Sequence, residues 1–184
     1  MRKVTYSMGM SLDGYAMGPD GGFDFSEPDE EVFRNAIEQI RAVGVHLMGR
    51  RLYETMLYWE TAEADDDATR EWIDLWNPLP KVVFSRTLTS VEGNARLATG
   101  GLAEEIARLR AEPEEGDIAL GGPELAAQAA DLGLIDEYHA RVHPVLVGGG
   151  TPFFAQSAQR VDLELVDTRT FASGVVYLRH RVRR

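Results

Sequence analysis

Apolar and polar positions along this chain recur with two periods, and the switches between them mark out the elements. Residues 3–10 read as a first strand, followed by a turn at Asp13-Gly14 and a glycine-rich loop through Gly22. From Pro28 to Ala42 the apolar residues Val32, Phe33, Ala36, Ile37 and Ile40 fall on one face with charges opposite, which predicts a helix. Short apolar runs at 45–48 and 81–85 predict buried strands, with helical stretches near 51–58 and 67–76 between them. Trp72 and Trp76, four apart, are predicted to pack inward or at an interface. A helix near 101–111, a strand at 117–120 and a helix at 123–132 follow. The last third changes character: 136–147, 162–170 and 175–182 are rich in β-branched and aromatic residues, with few helix signals. Together these predict an α/β fold, a single domain over 1–184. Its one mixed sheet carries helices on both faces and is finished by antiparallel strands.

Composition narrows the function classes. A length of 184 residues suits one domain, large enough to bury a core without staples. Cysteine is absent, which excludes disulfide and thiol chemistry and agrees with a cytoplasmic protein. No apolar run approaches a membrane span, and Met1-Arg2-Lys3 passes straight into Val4-Thr5-Tyr6 without a long apolar leader, so a soluble cytosolic protein is expected. The formal net charge of -11 argues against nucleic acid or anionic membrane as partner, because both select basic surfaces. The acidic residues bunch at 27–31, 63–67 and 112–117, positions that suit helix starts and exposed loops. An anionic ligand would therefore need a local cationic patch.

Such a patch is spelled out at three strand ends. The run at 117–120 ends at Gly121 and Gly122 just before a helix start, where bare backbone amides can meet a phosphate; Gly-Gly-Pro is also an ordinary strand-to-helix turn. His46-Leu47-Met48-Gly49-Arg50-Arg51 is a strand, a glycine, two cations and then a helix, and guanidinium suits bidentate phosphate contacts. Lys81 to Thr87 again places hydroxyls and a cation, Ser85 and Arg86, at a strand end. Three such joins suit a nucleotide lying across the carboxyl edge of a sheet.

Other candidate groups carry less. His139 and His143, four apart on a strand, would stand about 13 Å apart, too far to share a metal. Ser7 and Ser11 have no evident histidine and acid partners, so nucleophilic hydrolysis has little support. Tyr15 lies in a loop that could cover a substrate, although turn packing explains it equally.

Ser11-Leu12-Asp13-Gly14, Met48-Gly49-Arg50-Arg51, Gly121-Gly122-Pro123, Leu134-Ile135-Asp136-Glu137 and Pro144 to Gly150, in this order and spacing, resemble the dihydrofolate reductase-like superfamily. The similarity is to its branch related to the C-terminal reductase domain of bifunctional riboflavin biosynthesis proteins, and it spans nearly the whole chain. The resemblance implies a three-layer α/β/α fold, NADPH as hydride donor and a homodimer. It implies a small-molecule substrate, a heterocycle of pterin or ribitylamino-pyrimidine type, as for 5-amino-6-(5-phosphoribosylamino)uracil reductase. By position, Gly49, Arg50 and Arg51 match the family's cofactor-phosphate join. Ser85 and Arg86 match the segment facing the adenosine 2′-phosphate, and Gly121 with Gly122 the pyrophosphate and nicotinamide side. Asp13 is the candidate catalytic residue, orienting the glycine loop beside the nicotinamide; Asp-Gly after a strand is also a turn signal.

Two departures bear on the substrate. Leu120 stands where riboflavin-pathway reductases usually carry a glutamate. The first-helix carboxylate of dihydrofolate reductases has four possible occupants here: Asp24, Glu27, Glu30 and Glu31. A zinc deaminase domain is absent. A nucleotide-binding or regulatory protein of the same fold without turnover is the alternative reading, and a dimeric structural module a third.

Overall fold

The computed structural model describes residues 1–154 and 160–184. In chain order, β1 (Val4–Ser11) and β2 (Tyr15–Met17) lead through a 3-10 turn at Asp24–Ser26 into α1 (Glu30–Ile40). Next come β3 (Val43–Gly49), α2 (Arg50–Met56), α3 (Tyr58–Thr61), α4 (Asp67–Trp76), β4 (Lys81–Phe84), β5 (Ala95–Leu97) and α5 (Leu102–Ala111). The chain finishes with β6 (Asp117–Gly121), α6 (Pro123–Asp131), β7 (Glu137–His143), β8 (Thr151–Pro152), β9 (Leu163–Thr170) and β10 (Val176–Val182).

Local chemistry sets these ends. α1 starts where the Asp29 carboxylate accepts the Val32 amide at 2.9 Å, and α4 where Asp66 accepts the Thr69 amide at 2.7 Å. At the other end of α4 the buried Lys81 ammonium donates to the carbonyls of Trp76 (2.7 Å), Leu79 (3.0 Å) and Asn77 (3.3 Å), satisfying acceptors left at the helix end. The strand predicted to run to Val147 stops at His143, because Pro144 has no amide to give the ladder; Gly148, Gly149 and Gly150 then turn the chain at positive φ. The helix predicted at 51–58 is two, α2 and α3, parted at Leu57. β2, β5 and β8 were not predicted, being too short to show a period.

The main sheet has the order β5-β4-β3-β6-β1-β7-β10-β9. The first six strands are mutually parallel, while β10 runs antiparallel to β7 and β9 antiparallel to β10. This is the mixed sheet with an antiparallel C-terminal end that the pattern predicts. One face carries Val4, Tyr6, Leu47, Ile118 and Leu120 against Leu102, Ile106 and Leu109 of α5 and Leu125 and Ala129 of α6. On the other, Met48 and Val83 pack with Ile40 of α1, Tyr53 of α2 and Trp76 of α4. The tryptophans turn inward as expected: Trp72 stacks on Trp76 with centroids 5.5 Å apart, and Phe33 of α1 lies 5.7 Å from Trp72. No helix among the described residues is long and apolar enough to cross a membrane.

Two carboxylates sit wholly inside. Glu105 accepts the Thr99 amide at 2.8 Å and Arg96 at 2.8 Å, and also meets Arg108. Glu137, on β7, accepts Arg179 at 2.8 Å, Lys3 at 3.3 Å and His139 at 3.3 Å, tying the N-terminus to β7 and β10. Burial alone would raise both pKa values, but these donors and cations overcome it and hold each at about 2. Because the folded-state values lie below those of the unfolded chain, the stabilisation is complete above the ordinary glutamate value. It is lost as pH falls from there toward 2. Urea unfolding at stepped pH should show stability dropping across this window by about 3 kcal/mol per carboxylate, since each tenfold difference in proton affinity between the folded and unfolded chain corresponds to ~1.4 kcal/mol. In Glu137→Gln the drop should shrink by Glu137's share; an unchanged slope would mean that the carboxylate is not held this way.

Candidate functional site

Parallel strands finish at the same edge, so the pairing of β4, β3 and β6 gathers the three glycine and arginine joins. Gly49 is level with Phe84 across the β3–β4 pair, and Met48 with Gly121 across β3–β6. Arg50 leaves β3 at the start of α2. It donates from Nη1 to Thr87 Oγ1 at 2.9 Å and from Nε to Glu54 Oε1 at 2.7 Å, bridging to the segment after β4. Ser85 Oγ accepts the amides of Thr87 (3.2 Å) and Leu88 (3.0 Å), so its hydroxyl shapes that turn. Arg86 stands exposed beside it. Arg51 points the other way, 3.9 Å from Glu124 in the first turn of α6, with both side chains largely in solvent.

The three glycines are there for different reasons. A Cβ at Gly121 would collide with the His46 ring and Leu52, so this glycine serves packing between β3, α2 and β6. Gly122 has φ of +91°, a conformation L side chains avoid, and a Cβ there would meet nothing within 4 Å. Gly49 has an ordinary backbone, φ -78° and ψ 168°, and a Cβ there would also meet nothing within 4 Å. Neither its backbone angles nor its packing asks for glycine at 49, although glycine is among the residues favoured at a helix N-cap. Gly49 and Gly122 both border open space at the carboxyl edge.

Asp13 lies at the same edge of the sheet, beyond the end of β1. Its two carboxylate oxygens accept the amides of Gly148 (2.8 Å) and Val147 (3.2 Å), which pins the first loop to the glycine loop after β7. A hydrogen bond from the Ser11 side chain, then these amides, hold its pKa below the usual carboxylate value. Geometrically Asp13 is a loop clamp in ionised form.

Behind the edge, between the sheet and the layer of α1, α2 and α4, is a cavity of about 340 Å³, in the size range of small-molecule sites. Gly121 and Leu52 line it, which joins it to the carboxyl edge of the sheet, and Ser7, Gln39, His139 and Arg141 stand on its polar side. His46 also lines it, edge-on to Trp76 with centroids 5.2 Å apart; burial first, and then Lys81, pull its pKa down to about 4, so the ring is neutral at pH 7.

The structure moves two sequence expectations. Leu120 borders this cavity, but its side chain packs in the apolar core shared with α5 and α6, on the same sheet face as Leu47 and opposite His46. Asp24, Glu27, Glu30 and Glu31 are all exposed and none lines the cavity; Glu30 pairs with Arg34 at 3.0 Å and Glu31 accepts the Ala172 amide at 2.9 Å. Conversely His46, Gln39 and Arg141 were not singled out. A signal for them was present in the alternation of β1 and β7, where Thr5, Ser7, Gly9 and Ser11 share a face with Glu137, His139, Arg141 and His143. Polar residues on one face of two central strands mark a wet interior.

Comparison with known proteins agrees with this architecture. The profile of the RibD C-terminal domain matches residues 2–177. The uncharacterized protein YyaP of Bacillus subtilis is 32% identical over 178 residues, which cover 96% of this chain and 93% of YyaP. A protein of Shewanella sp. PV-4 named for riboflavin biosynthesis superposes with a TM-score of 0.79 at 22% identity, covering 100% of both chains. The diaminohydroxyphosphoribosylaminopyrimidine deaminase/5-amino-6-(5-phosphoribosylamino)uracil reductase of Thermotoga maritima superposes with a TM-score of 0.71 at 13% identity, over 99% of this chain and 57% of that one. With a sheet that ends in antiparallel strands, a glycine and arginine edge and a profile match over nearly its whole length, this chain belongs to the RibD C-terminal domain family, of dihydrofolate reductase-like fold.

Proposed function

We propose that this protein is an NADPH-dependent reductase of a small heterocyclic metabolite, of pterin or ribitylamino-pyrimidine type. The observation that carries the reading is Gly49, a glycine that neither the backbone nor the packing requires, bordering open space beside Arg50. Gly49, Gly122, Arg50, Arg51 and Arg86 would hold the cofactor phosphates, Ser85 shapes the turn that presents them, and Gly121 lets β6 close against His46. NADPH, when bound there, supplies a hydride. The chain's own part is to hold the substrate in the adjoining cavity, to keep water out with the aromatic wall of α4, and to fix the first loop through Asp13. Family membership supports the cofactor, and the cavity's continuity with the edge at Gly121 supports a substrate beside it. The same reading takes the protein to be a cytoplasmic homodimer, with Val161, Leu165 and Val166 along the exposed β9 edge as apolar surface for a second copy. Sedimentation at micromolar concentration should find a dimer, and a monomer would remove that element.

Wild-type protein should bind NADPH more tightly than NADH in a calorimetric titration, and binding of neither would sink the proposal. Gly49→Ala introduces no strain and no clash, but Gly49 is the N-cap of α2, where alanine is less favoured than glycine, so its melting transition should fall slightly while the protein stays folded. Its NADPH affinity should fall roughly tenfold as the Cβ displaces the ligand, and unchanged affinity would detach Gly49 from the site. Arg50→Ala should weaken NADPH by about 1.5–3 kcal/mol, the size of a lost charge-assisted contact, and NADH by less. Gly122→Val, compared in the same titrations, should damage both cofactors about equally. A folded Gly122→Val protein with normal NADPH binding would return that glycine to the role of a plain turn.

A further inference from the structure

The polar wall of the cavity contains a charge that the protein leaves unmatched. Arg141 projects from β7 into the cavity, and its one side-chain hydrogen bond among the described residues runs from Nη1 to Ser7 Oγ at 3.2 Å. That contact is held in place from α1: Ser7 Oγ donates to Gln39 Oε1 at 3.1 Å, and Gln39 Nε2 donates to Asn35 Oδ1 at 2.5 Å. The guanidinium is thus anchored through one N–H, with four donors left over. Burial lowers its pKa and no carboxylate offsets the effect.

Every acid around it is spoken for. Glu38 and Asp167 lie 2.7 Å and 3.7 Å from Arg169. Glu137 pairs with Arg179 at 2.8 Å and Arg181 at 3.5 Å, and Asp117 with Lys3 at 3.6 Å. Those four carboxylates balance the four cations Lys3, Arg169, Arg179 and Arg181, and His139 is neutral near pH 7 because burial pulls its pKa to about 4. Arg141 remains as an excess of one positive charge. Arg141 is half-buried, so its free N–H groups face the open side of the cavity, and a planar fork of such groups fits a carboxylate. The other two arginines that line the cavity, Arg169 and Arg179, are already paired with Glu38 and Glu137, so the single unmatched charge of Arg141 suits a monoanion better than a dianion.

We infer that Arg141, set by the Ser7 hydroxyl, anchors a carboxylate on the substrate, so that the molecule bound beside the cofactor edge is a planar monoanion. The inference rests on the reductase reading for what happens next to that ring, but the anion site stands on its own geometry. Trp72 and Trp76, which face-stack at 5.5 Å, line the same cavity, so tryptophan fluorescence reports occupancy.

The test uses matched pairs that differ by one carboxylate: orotate against uracil, and pterin-6-carboxylate against pterin. Each is titrated into the full chain by fluorescence and calorimetry. Each acid should bind at least roughly tenfold more tightly than its neutral partner, the size of one charge-assisted contact. Arg141→Met should erase the preference while NADPH affinity stays as in wild type, and Arg141→Lys should retain part of it. Equal binding of acid and neutral partner by wild-type protein, or no binding of any of the four at millimolar concentration, overturns the inference. So does a preference that survives Arg141→Met. The wild-type pairs decide the matter even if Arg141→Met fails to fold. Inorganic phosphate displacing orotate at equal concentration would make this a dianion site and overturn the carboxylate assignment. NADPH binding without any preference for the acids sinks this inference alone, whereas a clear preference with no NADPH binding sinks the reductase and leaves the anion site.

Discussion

A strand in the middle of a parallel sheet is covered on both faces, and β1 holds that position between β6 and β7. Its two faces are nevertheless unlike. Val4, Tyr6 and Met10 look into the apolar layer under α5 and α6, while Thr5, Ser7, Gly9 and Ser11 look toward α1. Because paired residues in a parallel ladder project to the same side, the polar face of β1 continues into Glu137, His139, Arg141 and His143 of β7 and into His46 of β3. A polar band inside a covered layer has to be satisfied by partners or left with room. Here both happen, as ion pairs around Glu137 and as a cavity beside Arg141.

The same parallel pairing produces the glycine and arginine edge. Once β4, β3 and β6 run side by side in one direction, their exits must lie together, and residues 49–51, 85–86 and 121–122 meet there. Arg50 fastens this arrangement by reaching Thr87, 37 residues away. Asp13 does the equivalent for the loops beyond β1 and β7. The cation and the carboxylate thus serve as ties between loops, which fixes the shape of the edge.

Local motifs were legible because their chemistry is local. The glycine and arginine joins, the acidic clusters at helix starts, within which Asp29 and Asp66 turn out to be the caps, and the inward tryptophans can be read from spacing, since each depends on residues within a turn or two. The acids near α1 misled for the same reason: Asp24, Glu27, Glu30 and Glu31 lie in the right stretch, yet which way they face depends on where α1 docks, and it docks with them in solvent. Leu120 likewise sits at the right position but on the other face of β6. The short strands β2, β5 and β8 were invisible because two or three residues form a strand only when a partner supplies the ladder.

The sequence by itself determined the alternation of strands and helices, the antiparallel tail, the acidic surface and the three joins that carry glycine and arginine, because periodicity, charge and turn chemistry act over a few neighbouring residues. Only the tertiary structure decided that Gly121 serves packing whereas Gly49 fronts open space, that His46 is buried and neutral, and that Arg141 lacks a carboxylate while its neighbours have theirs. Those properties belong to surroundings assembled from distant segments. A residue's free space, its loss of water and the balance of charge around it exist only once the sheet has brought those segments together.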